Sequence, residues 1–217
     1  MSRHPAPEEL LLDYAAGALP EGPALVVSLH VALDPAARRT VEALSGIGGA
    51  LLEGEDAAEV DSSALDAVLA KLDETIVEPR PAPAPTPPGF EWAPPALRPY
   101  LGKTPRWKRK LGGFDEIRIN LHGDTHRVSL LRLQPGEGLP VHRHGGAEYT
   151  VVMQGGYTDN TGNYGVGDFA VGPGAAEHEP IADPGEPCIA LIALERPIVL
   201  TGFWRWLFNP LIQRGWM

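Results

Sequence analysis

The sequence predicts a two-domain protein of the α + all-β class: a small helical bundle joined by a proline-rich linker to an antiparallel barrel. Three observations carry that reading. Nine of the 23 prolines fall within residues 79–99, where they exclude a helix or a central strand and favour extended polyproline geometry. Before them apolar residues recur at helical spacing; after them short apolar runs alternate with glycine turns. The expected boundaries are therefore 1–78 for the helical domain, 79–99 for a semi-rigid linker and 100–217 for the barrel with an aromatic C-terminal tail.

In the first segment "PEELLLDYAAG" opens with Pro and acids and stops at Gly17, a helix with ordinary start and stop signals. "EGPALVVSLHVAL" is a second apolar run. The third begins at "DPAARRTVEAL", with Asp34 as N-cap and Pro35 at the first helical position. The fourth, "SSALDAVLAKLDETI", aligns Leu65, Val68, Leu69 and Leu72 on one face. Four short helices make a marginal core, so the bundle is expected to keep an apolar face for a partner.

Charge separates the same two halves. Residues 1–75 hold fourteen Asp/Glu against four Lys/Arg, the whole of the formal −10, while the remainder is balanced. An acidic module fits a basic protein partner or is simply solvated, and it repels phosphates, so direct nucleic-acid binding is not expected. No run approaches the roughly 20 apolar residues of a membrane span, and "MSRHPAPEEL" lacks an apolar signal core; a cytoplasmic address and no membrane contact are expected. A single cysteine, Cys188, excludes an internal disulfide framework and reads as a buried, inert thiol on an apolar strand.

After the linker "FDEIRINLHGDTHRVSLLRL", "AEYTVVMQG", "GDFAVG" and "PCIALIAL" read as strands. Within "LPVHRHGGAEYTVVMQG" His142, His144 and Glu148 share parity, and side chains two apart on a strand point to one face. They can enter a barrel together if Gly145 and Gly146 add no bulge. His178, after a Gly-Pro-Gly turn, is the expected fourth ligand. Three imidazoles and one carboxylate suit a divalent transition metal, with zinc first and manganese, iron, nickel or copper as alternatives. His122 and His126 flank a "GDT" turn and read as exposed; "KTPRWKRK" reads as a solvated basic edge, and the Trp-rich tail as packing on the barrel.

These residues resemble the two cupin motifs. Gly136, His142, His144, Glu148 and Gly155 stand at every defining position of the first, and Gly167, Pro173 and His178 match the second, with Ala175 in place of its usual glycine. The resemblance covers about residues 100–200 and implies a double-stranded β-helix barrel with those four ligands.

"LLLDYAAGAL" followed by "LVVSLHVAL" further resembles the start of the ChrR-type anti-sigma factors, so that the likeness spans nearly the whole chain. It implies a regulator whose helical domain holds an extracytoplasmic-function sigma factor inactive until an oxidative signal reaches a metal-bound cupin domain. One departure stands out. His30 matches the histidine of the family's helical zinc site, but the two cysteine positions hold Asp34 and Ala37. His4, His30 and Asp34 are at most a weak remnant, and structural zinc sites want four protein ligands. The helical domain is then expected to fold by packing alone. The rival reading is a metal-dependent, dioxygenase-like cupin enzyme acting on a small molecule.

Overall fold

The computed structural model describes residues 2–72, 85–110, 112–172, 174, 176–201, 209–210 and 212. Its helices are α1 (Glu8–Ala15), α2 (Glu21–Leu33), α3 (Pro35–Glu53), α4 (Ala64–Leu72) and the short α5 (Arg98–Leu101). Local chemistry sets their ends. Asp34 accepts a hydrogen bond from the Ala36 N–H at 2.8 Å and Pro35 opens α3, as the sequence predicts. Gly17, just past α1, takes the left-handed φ of +69° that a side chain would resist.

Eleven strands follow among the described residues: β1 (Lys108–Arg109), β2 (Asp115–Ile119), β3 (Arg127–Leu133), β4 (His142–Arg143), β5 (Glu148–Gln154), β6 (Gly156–Asp159), β7 (Gly162–Gly165), β8 (Phe169–Val171), β9 (Ile181–Ala182), β10 (Cys188–Leu194) and β11 (Val199–Leu200). A six-stranded sheet in the order β1-β2-β3-β10-β5-β8 faces a three-stranded sheet β7-β6-β9, with β11-β4 as a small third pair. All the strand pairs are antiparallel. The helical region followed by an antiparallel barrel is the expected fold class.

Both faces of the large sheet are buried. Along β5, Glu148, Thr150 and Val152 look into the barrel, while Val151 and Met153 join a second core on the opposite face. In β3 and β10 the same alternation sends Val128, Leu130, Leu191 and Ala193 outward. What covers that outer face is α2. Leu25, Val26, Val27 and Leu29 are all buried in one cluster with the sheet, and each such side chain contributes about 1.5–3 kcal/mol on leaving water. A helix apolar all round must be enclosed, and α2 lies between the sheet and α1 and α3. At its N-terminus a Cβ on Gly22 would come within 2.8 Å of Val128, so glycine permits the close approach.

The helices therefore do not form a self-contained bundle. α1, α2 and the start of α3 share one core with the barrel. Leu65, Val68, Leu69 and Leu72 of α4, expected on one apolar face of a helix in the bundle, are exposed, and α4 buries no residue. The proline-rich segment also differs from an extended linker where it is described. Residues 79–84 lie outside the described residues, but Phe90, Ala93 and Leu97 are buried, and Phe90 stacks on Trp107. Proline forbids long helices and central strands but suits tight turns, and the apolar residues between the prolines anchor those turns. No helix among the described residues is long and apolar enough to cross a membrane. Most of the aromatic tail lies outside the described residues; Ile212 is buried against Leu200 and Ile198.

Candidate metal centre

His142, His144, Glu148 and His178 come together inside the barrel, all buried, with one potential ligand atom from each lying within 4.8 Å of every other. They do not share one strand. His142 sits on β4, His144 follows it, residues 145–147 bend, and Glu148 opens β5. The bend at Gly145 and Gly146 replaces the continuous strand assumed from parity, yet the side chains converge. His178 arrives by an isolated bridge to His142, with reciprocal backbone bonds of 3.1 and 3.0 Å. Gly172 presses on the site: a Cβ there would sit 2.8 Å from that of Glu148 and 3.3 Å from the His144 ring. Pro173 and Ala175, the turn of the second motif, lie outside the described residues.

Hydrogen bonds fix the tautomers of two rings. His142 Nδ1–H donates to the Pro140 carbonyl at 2.8 Å, and His178 Nδ1–H donates to Asp159 Oδ2 at 2.9 Å. Their Nε2 lone pairs are left pointing at each other across 3.0 Å, and His144 Nε2 stands 2.7 Å from that of His178. Burial, and then the neighbouring His178, pull His142 down to about 4, so its ring is neutral at ordinary pH. Burial alone would favour the acid form of Glu148, but His144 and the Thr150 hydroxyl, which donates to Oε1 at 2.8 Å, hold it below the ordinary carboxylate range. Glu148 Oε2 lies 2.7 Å from His144 Nε2, the atom that also faces His178, and makes no well-aligned hydrogen bond among the described residues. Three imidazole Nε2 atoms and a carboxylate oxygen crowded together out of water are costly unless a cation sits among them. The donor set fits a divalent transition metal.

A small apolar cavity adjoins the centre between Phe114, Leu131, Leu139, Ile192 and Leu194. Besides Glu148 it is lined by the buried Glu116, which is met by Ser129 Oγ at 2.6 Å, Arg127 at 2.9 Å and Lys110 at 2.9 Å. Cys188 lines a smaller space beside His142 and His178. Burial, and then Asp183, push its thiol up to about 12, so it is protonated and unreactive at neutral pH.

Along the chain belonging to this barrel, the family model of the ChrR cupin-like domain matches residues 103–196. Over 214 residues the chain is 35% identical to the anti-sigma-E factor ChrR of Cereibacter sphaeroides, covering 97% of this chain and 98% of that one. The chain belongs to the ChrR family. A chain from the crystal structure of Rhodobacter sphaeroides SigE in complex with the anti-sigma ChrR matches it with a TM-score of 0.76 and 33% identity, over 89% of this chain and 100% of that one. These ChrR relatives are named as anti-sigma factors and not as enzymes.

The remnant zinc site in the helices is not assembled as a ligand set. His30 is fully buried with both ring nitrogens engaged: Nδ1 lies 2.8 Å from the Gly167 carbonyl and Nε2 accepts the Ala6 N–H at 3.1 Å. Asp34 caps α3 and accepts from the Ser2 hydroxyl. His4 lies against Tyr164, with ring centroids 4.4 Å apart. His4 and His30 thus both make contact with the barrel, at Tyr164 and Gly167. Elsewhere, His122 is exposed and His126 bonds to Asp124. The basic segment supplies Arg109 to Asp115 and Glu137, and Lys110 to Glu116. Sequence reasoning missed Thr150, which the period of two from Glu148 offered, and Asp159, which no local spacing announced.

Proposed function

We propose that this chain is an anti-sigma factor that binds an extracytoplasmic-function sigma factor and holds it inactive, with the barrel as a metal-bound sensor of an oxidative signal. Its likeness to ChrR over nearly the whole length carries the reading. The surface supports it. The second half of α3 and all of α4 present Ile47, Leu51, Leu52, Val68, Leu69 and Leu72 to solvent, within the stretch that holds the entire negative excess. Exposed apolar side chains in an acidic segment suit a basic protein surface. The cytoplasm, where sigma factors meet polymerase, is the matching location.

His142, His144, Glu148 and His178 would hold one metal, zinc before manganese, iron or nickel. Such a cation supplies an electrostatic tie between the loop of His178 and the large sheet that Glu148 begins. Replacing both His142 and His144 by Ala in the full chain should abolish stoichiometric metal; full retention would refute the assignment. The function is tested by transcription in vitro with a partner sigma factor and the intact chain. Repression at stoichiometric protein is expected, and undiminished transcription with folded protein in excess would overturn it.

A further inference from the structure

The ring of His178 is held from outside the four-residue cluster. We infer that Asp159 is a positioning residue of the metal centre, its carboxylate fixing the tautomer and orientation of His178 and strengthening that ring as a ligand. The inference rests on the metal reading above and adds a fifth residue to it.

The two oxygens of Asp159 have separate tasks. Oδ1 closes the turn between β6 and β7, accepting from the Thr161 N–H at 2.7 Å, the Thr161 hydroxyl at 2.6 Å and the Gly162 N–H at 3.2 Å. Oδ2 is thereby aimed into the barrel, 2.9 Å from His178 Nδ1, on a side chain only 2% exposed. His142 has only the neutral Pro140 carbonyl behind it. A carboxylate behind a ligating imidazole raises its basicity and locks its ring plane, and loss of such a partner typically costs 10–100-fold in metal affinity. The geometry also anchors the centre to the three-stranded sheet, because Asp159 ends β6, whereas Glu148 belongs to the six-stranded one.

Asp159→Asn separates the tasks: an amide oxygen can still close the turn, but the NH₂ facing His178 cannot accept its proton. Cobalt(II) is titrated into the full-length apo-protein, followed by its visible absorption and by competition with a chelator. D159N is expected to bind cobalt 10–100-fold more weakly with a shifted absorption band, at an unchanged apo melting temperature. Thr161→Val removes one bond of the turn and keeps the carboxylate; it should match wild type in affinity and spectrum. The inference is overturned if D159N binds within twofold of wild type with the same spectrum, or if T161V loses as much as D159N. A wild-type protein that takes up no cobalt would overturn the metal reading beneath it, a distinguishable result.

Discussion

Glu116 sets a test at the scale of a single residue. Burial opposes its charge, but Ser129, Lys110 and Arg127 together bring it from the ordinary 4.5 to about 2. A carboxylate depressed in the folded state stabilises the protein above its unfolded value, and that stability is lost as pH falls through the folded one. The window is therefore from about pH 4.5 down to about 2, and the contribution at neutral pH is at most ~3 kcal/mol. Glu116→Gln should lower stability to urea at pH 7, with the gap to wild type narrowing sharply by pH 2.5. A gap constant across that range would show that the ion cluster contributes nothing through charge. His30 belongs to the same scale with the same sign: burial lowers it, so its contribution is present above about pH 6.5 and weakens in acid, where a proton on Nε2 would face the Ala6 N–H.

Single elements divide by what covers them. α2 has no face left for a partner, since Leu25, Val26, Val27 and Leu29 are all spent on the core. In contrast, Leu51, Leu52 and Val68 of α3 and α4 are more than half exposed. Leu51→Asp or Val68→Asp should thus weaken sigma-factor binding tenfold or more by calorimetry, with stability held within about 0.5 kcal/mol as for other surface changes. Val26→Asp should instead unfold the protein. Association should also slow as salt rises, because screening shortens to about 8 Å near physiological ionic strength. Binding unaffected by both surface variants would place the partner on another face.

For the whole molecule, the shared core makes the helices and the barrel one cooperative body. Polar ties accompany the packing: Asp124 of the barrel accepts the Gly22 N–H at 2.5 Å, Asp168 accepts the backbone of Arg3 and His4, and Gly167 meets His30. Cutting the chain near residue 78 would expose the apolar face of α2, so a helical fragment alone should not keep its fold, because its packing is against the barrel. Urea unfolding of the full chain should show one transition, with helical circular dichroism and tryptophan fluorescence superimposing. An earlier loss of helix would mean that the two halves unfold independently. The four-residue cluster is linked to the helices by a short path, because β5, which carries Glu148, pairs with β8, whose Phe169 ring lies 5.3 Å from His30.

Much of this was legible in the chain itself. Asp34 and Pro35 announced the start of α3 because capping is decided within three residues. The four clustered residues were legible because three fall within seven positions and the fourth follows a marked turn. Even the doubly buried sheet left a trace in "CIALIAL", since an antiparallel strand apolar at every position must be covered on both faces. What the sequence could not decide was the partner of each apolar face: it assigned Val26 and Leu69 alike to a bundle, and the fold buried one against β5 and β10 and left the other in water. Nor could it join Asp159 to His178, or His30 to Gly167. Spacing fixes dihedral preference and which side chains share a face, because those are set by neighbours along the chain. Which face meets which is set by the total surface withdrawn from water, a sum over contacts far apart in sequence that exists only once the chain has folded.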